Sequence, residues 1–135
     1  MFVTRATRHD AADIADLLAA HDWPVEEVSS GTFFLAREGA AVGCVRLWEV
    51  APQTVVVRDV MVASERRREG IGARLMQTAM NSRGGTLYLR CGAQEAPFFE
   101  RLGFAPVRTA DLPEAVVEHF DAHGPGSDAT TMRAR

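Results

Sequence analysis

The stretch VMVASERRREGIGARLM, Val60–Met76, decides the fold of this chain. It starts as the end of an apolar strand, QTVVVRDVMV at 53–62, passes through three consecutive arginines, and continues after Gly70 with apolar residues at helical spacing. This change of period predicts a β-strand that leads through a short loop into an amphipathic helix. We predict that the helix runs from Gly70 to about Ser82, where Gly84-Gly85 ends it.

The loop at 65–73 has the chemistry of an anion-binding site. Glycine lets backbone N–H groups approach a ligand closely, because no Cβ stands in the way. The first N–H groups of a helix lack internal partners and carry partial positive charge, and the arginines add full charges. Phosphate suits this combination best. The loop lacks the ending of a Walker A loop and the glycine spacing of dinucleotide folds. A solvated, charged helix start is the alternative interpretation.

Composition limits the classes of function. The chain has 135 residues, 47% of them hydrophobic and 24% charged, which predicts one globular domain over residues 1–135. A net charge of −3 argues against nucleic-acid or acidic-membrane partners. All 15 basic residues are arginine, which excludes Schiff-base and lysine-base chemistry. The two cysteines and the charged first 20 residues predict a cytoplasmic protein with reduced thiols.

Periodicity predicts an α/β (α+β) chain with one mostly antiparallel sheet and a strand–helix–strand unit at 53–91. Asp10 is the expected N-cap of the first helix, Asp111 that of the last, and the final strand is expected at a sheet edge. The remaining predicted strands are 2–7, 32–38, 41–50, 86–91, 104–109 and 129–134, and the remaining helices are 8–21, 94–104 and 111–120.

Two motifs resemble the GNAT N-acetyltransferase superfamily. Arg67–Gly72 matches its Arg/Gln-x-x-Gly-x-Gly/Ala loop, and APFFERLGF at 96–104 looks like its later helix ending in Leu-Gly-Phe. The order of elements matches along nearly the whole chain. The resemblance implies the GNAT fold, a mixed, mostly antiparallel sheet splayed between strands 4 and 5 and flanked by helices. FFERLGFAPV, LPEAV and ATTM are similar to the amino-acid N-acetyltransferase subgroup, which includes N-acetylglutamate synthase and arsinothricin N-acetyltransferase domains.

The resemblance implies acetyl-CoA as the cofactor and a small-molecule primary amine as the acceptor. In the superfamily the glycine loop binds the pyrophosphate, and the preceding strand holds the pantetheine and thioester by its backbone. An N–H at Val60 would stabilise the oxyanion. The cofactor-binding residues carried over in this way are Val60, Met61, Val62, Arg67, Arg68, Glu69, Gly70, Ile71, Gly72 and Ala73.

Two arginines are candidates for binding a substrate carboxylate. Arg58 interrupts an otherwise apolar strand, and a buried guanidinium requires an anionic partner. That partner is either a substrate carboxylate, bound through two hydrogen bonds, or an acid such as Glu49 on a neighbouring strand. Arg90, late in the next strand, is the second candidate, with an exposed edge arginine as the alternative.

The groups for proton transfer are less well defined by the sequence. Glu49 is the first candidate for the general base, acting through a water, with Asp59 and Glu95 as alternatives. Phe99 stands where many GNAT enzymes have a tyrosine that protonates the leaving thiolate. A thiolate departs without an acid because it is a good leaving group. Tyr88 and Cys91 are expected in the core.

Other readings of the same pattern stay open. The missing tyrosine favours a non-catalytic acyl-CoA-binding regulator, and the acceptor could instead be a protein N-terminus, a polyamine or a drug. Homodimers are frequent in the superfamily. His119 and His123 are four residues apart, but a metal site needs a third ligand, so no metal is expected.

Overall fold

The computed structural model describes residues 1–21, 30–67, 69–123 and 129–134. The loop predicted at 124–128 lies outside them. The strands are β1 (Phe2–Arg5), β2 (Thr32–Glu38), β3 (Ala40–Ala51), β4 (Thr54–Val62), β5 (Thr86–Cys91), β6 (Ala105–Pro106) and β7 (Thr130–Ala134). The helices are α1 (Ala11–Ala20), α2 (Ile71–Asn81), α3 (Ala96–Arg101) and α4 (Glu114–His123).

The seven strands form a mixed sheet in the order β1-β2-β3-β4-β5-β7-β6. The pairs β1–β2, β2–β3, β5–β7 and β6–β7 are antiparallel, whereas β4 and β5 are parallel. The predicted fold class is therefore confirmed. The parallel pairing joins the first three residues of each strand, from Thr54↔Thr86 to Val56↔Tyr88.

The end of the chain differs from the sequence prediction. The last strand was expected at a sheet edge, which is wrong, because β7 pairs with β5 on one side and β6 on the other. The strand predicted over 104–109 is reduced to Ala105–Pro106. Proline has no N–H to donate to a strand ladder, which limits β6 to a short edge. Helix α4 begins at Glu114, so Asp111 ends a 3-10 turn instead of capping the helix.

The chain divides into two compact units, and the expectation of a single domain over 1–135 stays a prediction. The first unit comprises Met1–Trp48 and Asp59–Arg83. In it, α1 packs on one face of β2 and β3, because its apolar stripe supplies a hydrophobic cluster. The members of this cluster are Ile14, Leu17, Leu18, Phe33, Leu35, Cys44, Met61 and Ala63.

Helix α2 packs closely on β3 in the same unit. Gly43 makes this approach possible, since a Cβ there would lie 2.9 Å from Leu75 Cδ1, 3.1 Å from the Met61 carbonyl oxygen and 3.3 Å from Ile71 Cγ2. Ile71 and Leu75 are one helical turn apart and both are buried. The start of α2 is therefore set by contact with a strand glycine.

At the N-terminal end of α1, Asp10 occupies the N-cap position, but its carboxylate does not cap the helix. It accepts hydrogen bonds from the backbone N–H of Thr7 at 2.8 Å and from Arg37 Nη2 at 2.7 Å. The Thr7 N–H and then Arg37 lower the pKa of Asp10. Arg37 also pairs with Asp13 at 2.7 Å, so this ion pair ties β2 to α1.

The second unit comprises Glu49–Arg58 and Gly84–Arg135. Val56 of β4 and Tyr88 of β5 form a buried cluster with Val116 and Phe120 of α4. Helix α3 is shorter than predicted, and its Phe99 is buried against Phe98 and Phe104 in edge-to-face contacts.

Candidate active site

The start of α2 has free space in front of it. Gly70 occupies the N-cap position with φ 80°, a left-handed conformation that glycine adopts without strain. A Cβ on Gly70 would meet nothing within 4 Å. The first hydrogen bond of the helix runs from the Arg74 N–H to the Gly70 carbonyl, so the N–H groups of Ile71, Gly72 and Ala73 precede the internal ladder. This open, positively polarised backbone fits a phosphate group.

The arginines of the preceding loop differ in what they contact. Arg66 Nε lies 3.0 Å from Glu69, and its Nη2 lies 3.1 Å from Glu38. The hydrogen bond with Glu69 and then that with Glu38 raise the pKa of Arg66. Exposed Arg67 donates from Nε to the carbonyl of Val62 at 3.2 Å. Arg68 lies outside the described residues. Arg66 is therefore held in an ion-pair network, and Arg67 is the described arginine best suited to an anion.

The second half of β4 leads into this loop. Met61 is buried in the α1 cluster, whereas Val60 and Val62 are half-buried. Asp59, just before them, has φ 54°, a left-handed conformation inside a strand. The strand predicted at 53–62 is therefore present but irregular at this residue. The conformation resembles that of a β-bulge, which redirects the backbone at that point.

A buried ion pair accompanies this irregularity. Arg46 Nε of β3 lies 3.0 Å from Asp59 Oδ2, and the two side chains are 0% and 5% exposed. The guanidinium of Arg46 packs on the rings of Phe33 and Trp48, with centroids at 4.4 Å and 5.2 Å. Arg46 is not among the site residues predicted from the sequence. The signal was present, since Arg46 interrupts the apolar run VGCVRLW in the same way that Arg58 interrupts its own strand.

Arg58 and Arg90 lie on neighbouring parallel strands in the second unit. The last registered pair of these strands is Val56↔Tyr88, and each arginine lies two residues further along its own strand. Because side chains alternate along a strand, both arginines share the face of Val56 and Tyr88, the face that α4 covers. Both predicted substrate-binding residues are therefore on one face of the β4–β5 pair.

Helix α4 contacts both guanidinium groups. Arg58 Nη1 lies 3.3 Å from His119 Nε2, and the Arg90 guanidinium carbon lies 4.5 Å from the centroid of the Phe120 ring. A guanidinium can only donate hydrogen bonds, so His119 Nε2 is the acceptor in its contact with Arg58. The contact of His119 with Arg58 was not predicted.

The remaining candidates for proton transfer occupy separate environments. Glu49 is exposed near the end of β3, whereas Phe99 and Tyr88 are buried. The Cys91 thiol is buried 3.7 Å from Met132 Sδ, and burial, followed by the charges of Glu95 and Glu100, raises its pKa. Cys91 is thus a protonated thiol of the core.

No metal-binding cluster of three or more His, Cys, Asp or Glu side chains occurs within the described ranges. The side chain of His123 lies outside them. None of the described helices combines the length and apolar character that crossing a bilayer requires.

Comparison with known proteins defines the family. Residues 29–106, more than half of the chain, match the family model for an acetyltransferase (GNAT) domain. The chain therefore belongs to the GNAT acetyltransferases and is an acetyl-CoA-dependent acyltransferase. No curated protein matches the sequence significantly.

Solved structures show the same fold at low identity. N-acetylglutamate synthase from Neisseria gonorrhoeae, in complex with coenzyme A and N-acetyl-glutamate, matches with TM-score 0.79 and 19% identity. The match covers 100% of this chain but only 35% of that one. Tetrahymena GCN5 matches with TM-score 0.74 and 15% identity, covering 99% of this chain and 95% of that one. An aminoglycoside 6'-N-acetyltransferase complexed with coenzyme A has TM-score 0.73 and 20% identity, covering 98% and 96%.

Proposed function

We propose that this enzyme transfers the acetyl group of acetyl-CoA to the primary amine of a small molecule that carries a carboxylate, such as an amino acid or an analogue. The observation that carries the proposal is the placement of Arg58 and Arg90 on one face of β4 and β5, both in contact with α4. Two guanidinium groups on one surface favour an anionic ligand, and their planar forks match a carboxylate.

The donor would be held by the first unit. Gly70, Ile71, Gly72 and Ala73 would hold the diphosphate through backbone N–H groups, with Arg67 and Arg68 supplying charge. Glu69 accepts a hydrogen bond from Arg66 and orients its guanidinium. The Glu69 carboxylate, which lies next to the loop, is therefore already paired with a cation. Val60, Met61 and Val62 would hold the pantetheine through their backbone. Acetyl-CoA supplies an activated thioester to the reaction.

Acyl transfer requires a neutral amine, a stabilised oxyanion and a departing thiolate. Glu49, exposed at the end of β3, would remove the proton of the ammonium group through a water. The backbone N–H of Val60 would donate to the developing oxyanion. Phe99 has no proton to donate and Tyr88 is buried in the core, so we assign no general acid. The thiolate would leave unprotonated, and the proton that the nitrogen loses after its attack would pass to solvent.

The acceptor carboxylate would bind Arg58, which is oriented by its hydrogen bond to His119. Arg90, held by Phe120, would add a second positive charge. The Neisseria N-acetylglutamate synthase, which has the same fold, is complexed with coenzyme A and N-acetyl-glutamate. At 19% identity this likeness supports the class of acceptor and not the particular compound.

The experiment is a thiol-release assay with acetyl-CoA and matched pairs of amines. Each pair contains an amino acid and the amine left after removal of its carboxylate, for example phenylalanine and phenethylamine. The proposal expects turnover of the carboxylate-bearing member, with the N-acetylated product identified by mass. Faster turnover of the carboxylate-free members across the panel would show instead that the acceptor is a polyamine, a drug or another amine.

A further inference from the structure

Asp59 is held in a conformation that a strand residue does not adopt by itself. Among the described residues, Gln53 and Asp59 are the non-glycine residues with positive φ, at 58° and 54°. Gln53 belongs to the turn between β3 and β4, where Pro52 precedes it and positive φ is expected. Asp59 lies inside β4. Such conformations persist where surrounding contacts enforce them, and they concentrate at functional sites.

Two side chains of β3 enforce it. Arg46 pairs with the Asp59 carboxylate at 3.0 Å, and both side chains are almost completely buried. Cys44, two residues earlier on the same face, donates from Sγ to the Asp59 carbonyl oxygen at 3.3 Å. Burial and then the charge of Asp59 raise the pKa of Cys44 to about 12, so the thiol keeps the proton that it donates. Both the side chain and the backbone of Asp59 are thus anchored to β3.

The second anchor acts on the peptide group between Asp59 and Val60. The described chain contains no cis peptide bond, so the Asp59 carbonyl and the Val60 N–H are trans and point in opposite directions. Since the carbonyl points at Cys44, the Val60 N–H points away from Cys44. A hydrogen bond to a carbonyl also polarises its peptide group, which makes the N–H a stronger donor.

We propose that Arg46, Asp59 and Cys44 are positioning residues that fix and polarise the Val60 N–H for oxyanion stabilisation. This inference rests on the proposed role of Val60. Donors that are already oriented need no reorganisation during the reaction, and this is the main source of their catalytic effect. The three residues would therefore affect the rate of acyl transfer without contacting the donor or the acceptor.

Two pairs of variants test the proposal. Cys44→Ala removes the donor to the Asp59 carbonyl, whereas Cys44→Ser restores one. Asp59→Ala removes the ion pair and disfavours positive φ, whereas Asp59→Asn retains an acceptor for Arg46 and tolerates the left-handed region. The expected result is a fall in kcat of about tenfold for each alanine variant, with at least partial recovery in Cys44→Ser and Asp59→Asn. The Kd of coenzyme A stays within about twofold of wild type.

Arg37→Gln is the matched control, because it removes the ion pairs with Asp10 and Asp13 in the same unit and none of its described contacts involves β4. It should lower the melting temperature and leave kcat unchanged. All rates are measured below the melting transitions, with whichever amine of the panel turns over fastest. If Asp59→Ala does not fold, the Cys44 pair decides.

An unchanged kcat in folded Cys44→Ala would overturn the proposal, and so would an equal loss in Cys44→Ser. If the carboxylate-free amines are the better acceptors, the proposed substrate class is refuted. The test of the positioning residues remains valid, because the kcat of every variant is compared with that of the wild type for the same acceptor.

Discussion

Nη1 of Arg58 and Nε2 of His119 lie 3.3 Å apart, and the chemistry of the two groups decides which one donates. The guanidinium has no acceptor atom, so the imidazole Nε2 accepts. His119 is buried, which gives this contact a fixed geometry. The hydrogen bond to His119 consequently orients the guanidinium of Arg58.

Arg58→Ala should lower kcat/KM for carboxylate-bearing amines by ten- to a hundredfold. Hydrogen bonds to charged groups contribute about 1.5–3 kcal/mol, and about 1.4 kcal/mol corresponds to a factor of ten. The carboxylate-free partner of each pair should react at nearly the wild-type rate. Steady-state thiol release with both members measures this. The same loss for both members would show that Arg58 has a structural role.

His119→Leu should raise the KM for the carboxylate-bearing amine by about fivefold, which corresponds to about 1 kcal/mol, because Arg58 would lose the hydrogen bond that orients it. His119→Gln is the matched control, because its side-chain carbonyl can still accept from Arg58. The KM of His119→Gln should lie between those of the wild type and His119→Leu. In both variants kcat should change little. A wild-type KM in folded His119→Leu would contradict an orienting role for the imidazole.

Gly70→Ala should weaken coenzyme A binding about tenfold, as measured by calorimetry, because a methyl group would stand before the helix N–H groups. Gly39→Ala is its matched control. The two glycines have φ values of 80° and 77°, and a Cβ on either would meet nothing within 4 Å.

Both substitutions place alanine in the left-handed region, which costs about 1–2 kcal/mol of stability. Only Gly70→Ala should alter the affinity. Equal affinities in the two variants would remove the start of α2 from the diphosphate site.

Stability should decline at alkaline pH because of Cys44, whose pKa rises to about 12 from the ordinary thiol value of 9.0. Above pH 9 the unfolded chain loses the thiol proton while the folded protein keeps it, so stability falls as pH rises from about 9 towards 12. By pH 10 the loss should be on the order of 1 kcal/mol.

Urea unfolding at pH 8 and pH 10 measures the effect. Cys44→Ala should have a smaller decline over the same interval.

The two cysteines should also resist iodoacetamide at pH 8 in the native state and react after unfolding. Rapid alkylation of Cys44 in the folded protein would contradict its placement.

Local periodicity was sufficient to predict most of the fold. The predicted bounds of β5, 86–91, agree with the structure, and those of α2 differ from it by only one residue at each end. Both elements could be placed closely because glycines mark their ends. The position of β7 could not be predicted in the same way. Strand order depends on which strands pair, and a strand of alternating residues such as TTMRA can lie at an edge or inside a sheet.

Only part of the candidate site could be predicted. The glycine loop is contiguous, so its pattern can be recognised from the six residues Arg67–Gly72 alone. Arg46, Asp59 and His119 are brought to their partners by tertiary contacts that no local pattern encodes. A charged residue in an apolar strand is a usable signal, and the reasoning applied to Arg58 would also have selected Arg46. The left-handed φ of Asp59 has no clear sequence marker, although aspartate tolerates it better than most residues.

Substitution of Gly43, which is buried beneath α2, offers a way to change the affinity of this enzyme for its donor from the interior of the protein. Even a single methyl group there would push against Leu75 and Ile71 of α2, the helix whose first turn is the proposed diphosphate site. Exchange of this residue between natural variants would look like a change in packing, yet it would be measured as an altered KM for the donor. If α2 binds the donor as proposed, engineers who want weaker or stronger donor binding can begin with this strand position beneath the helix.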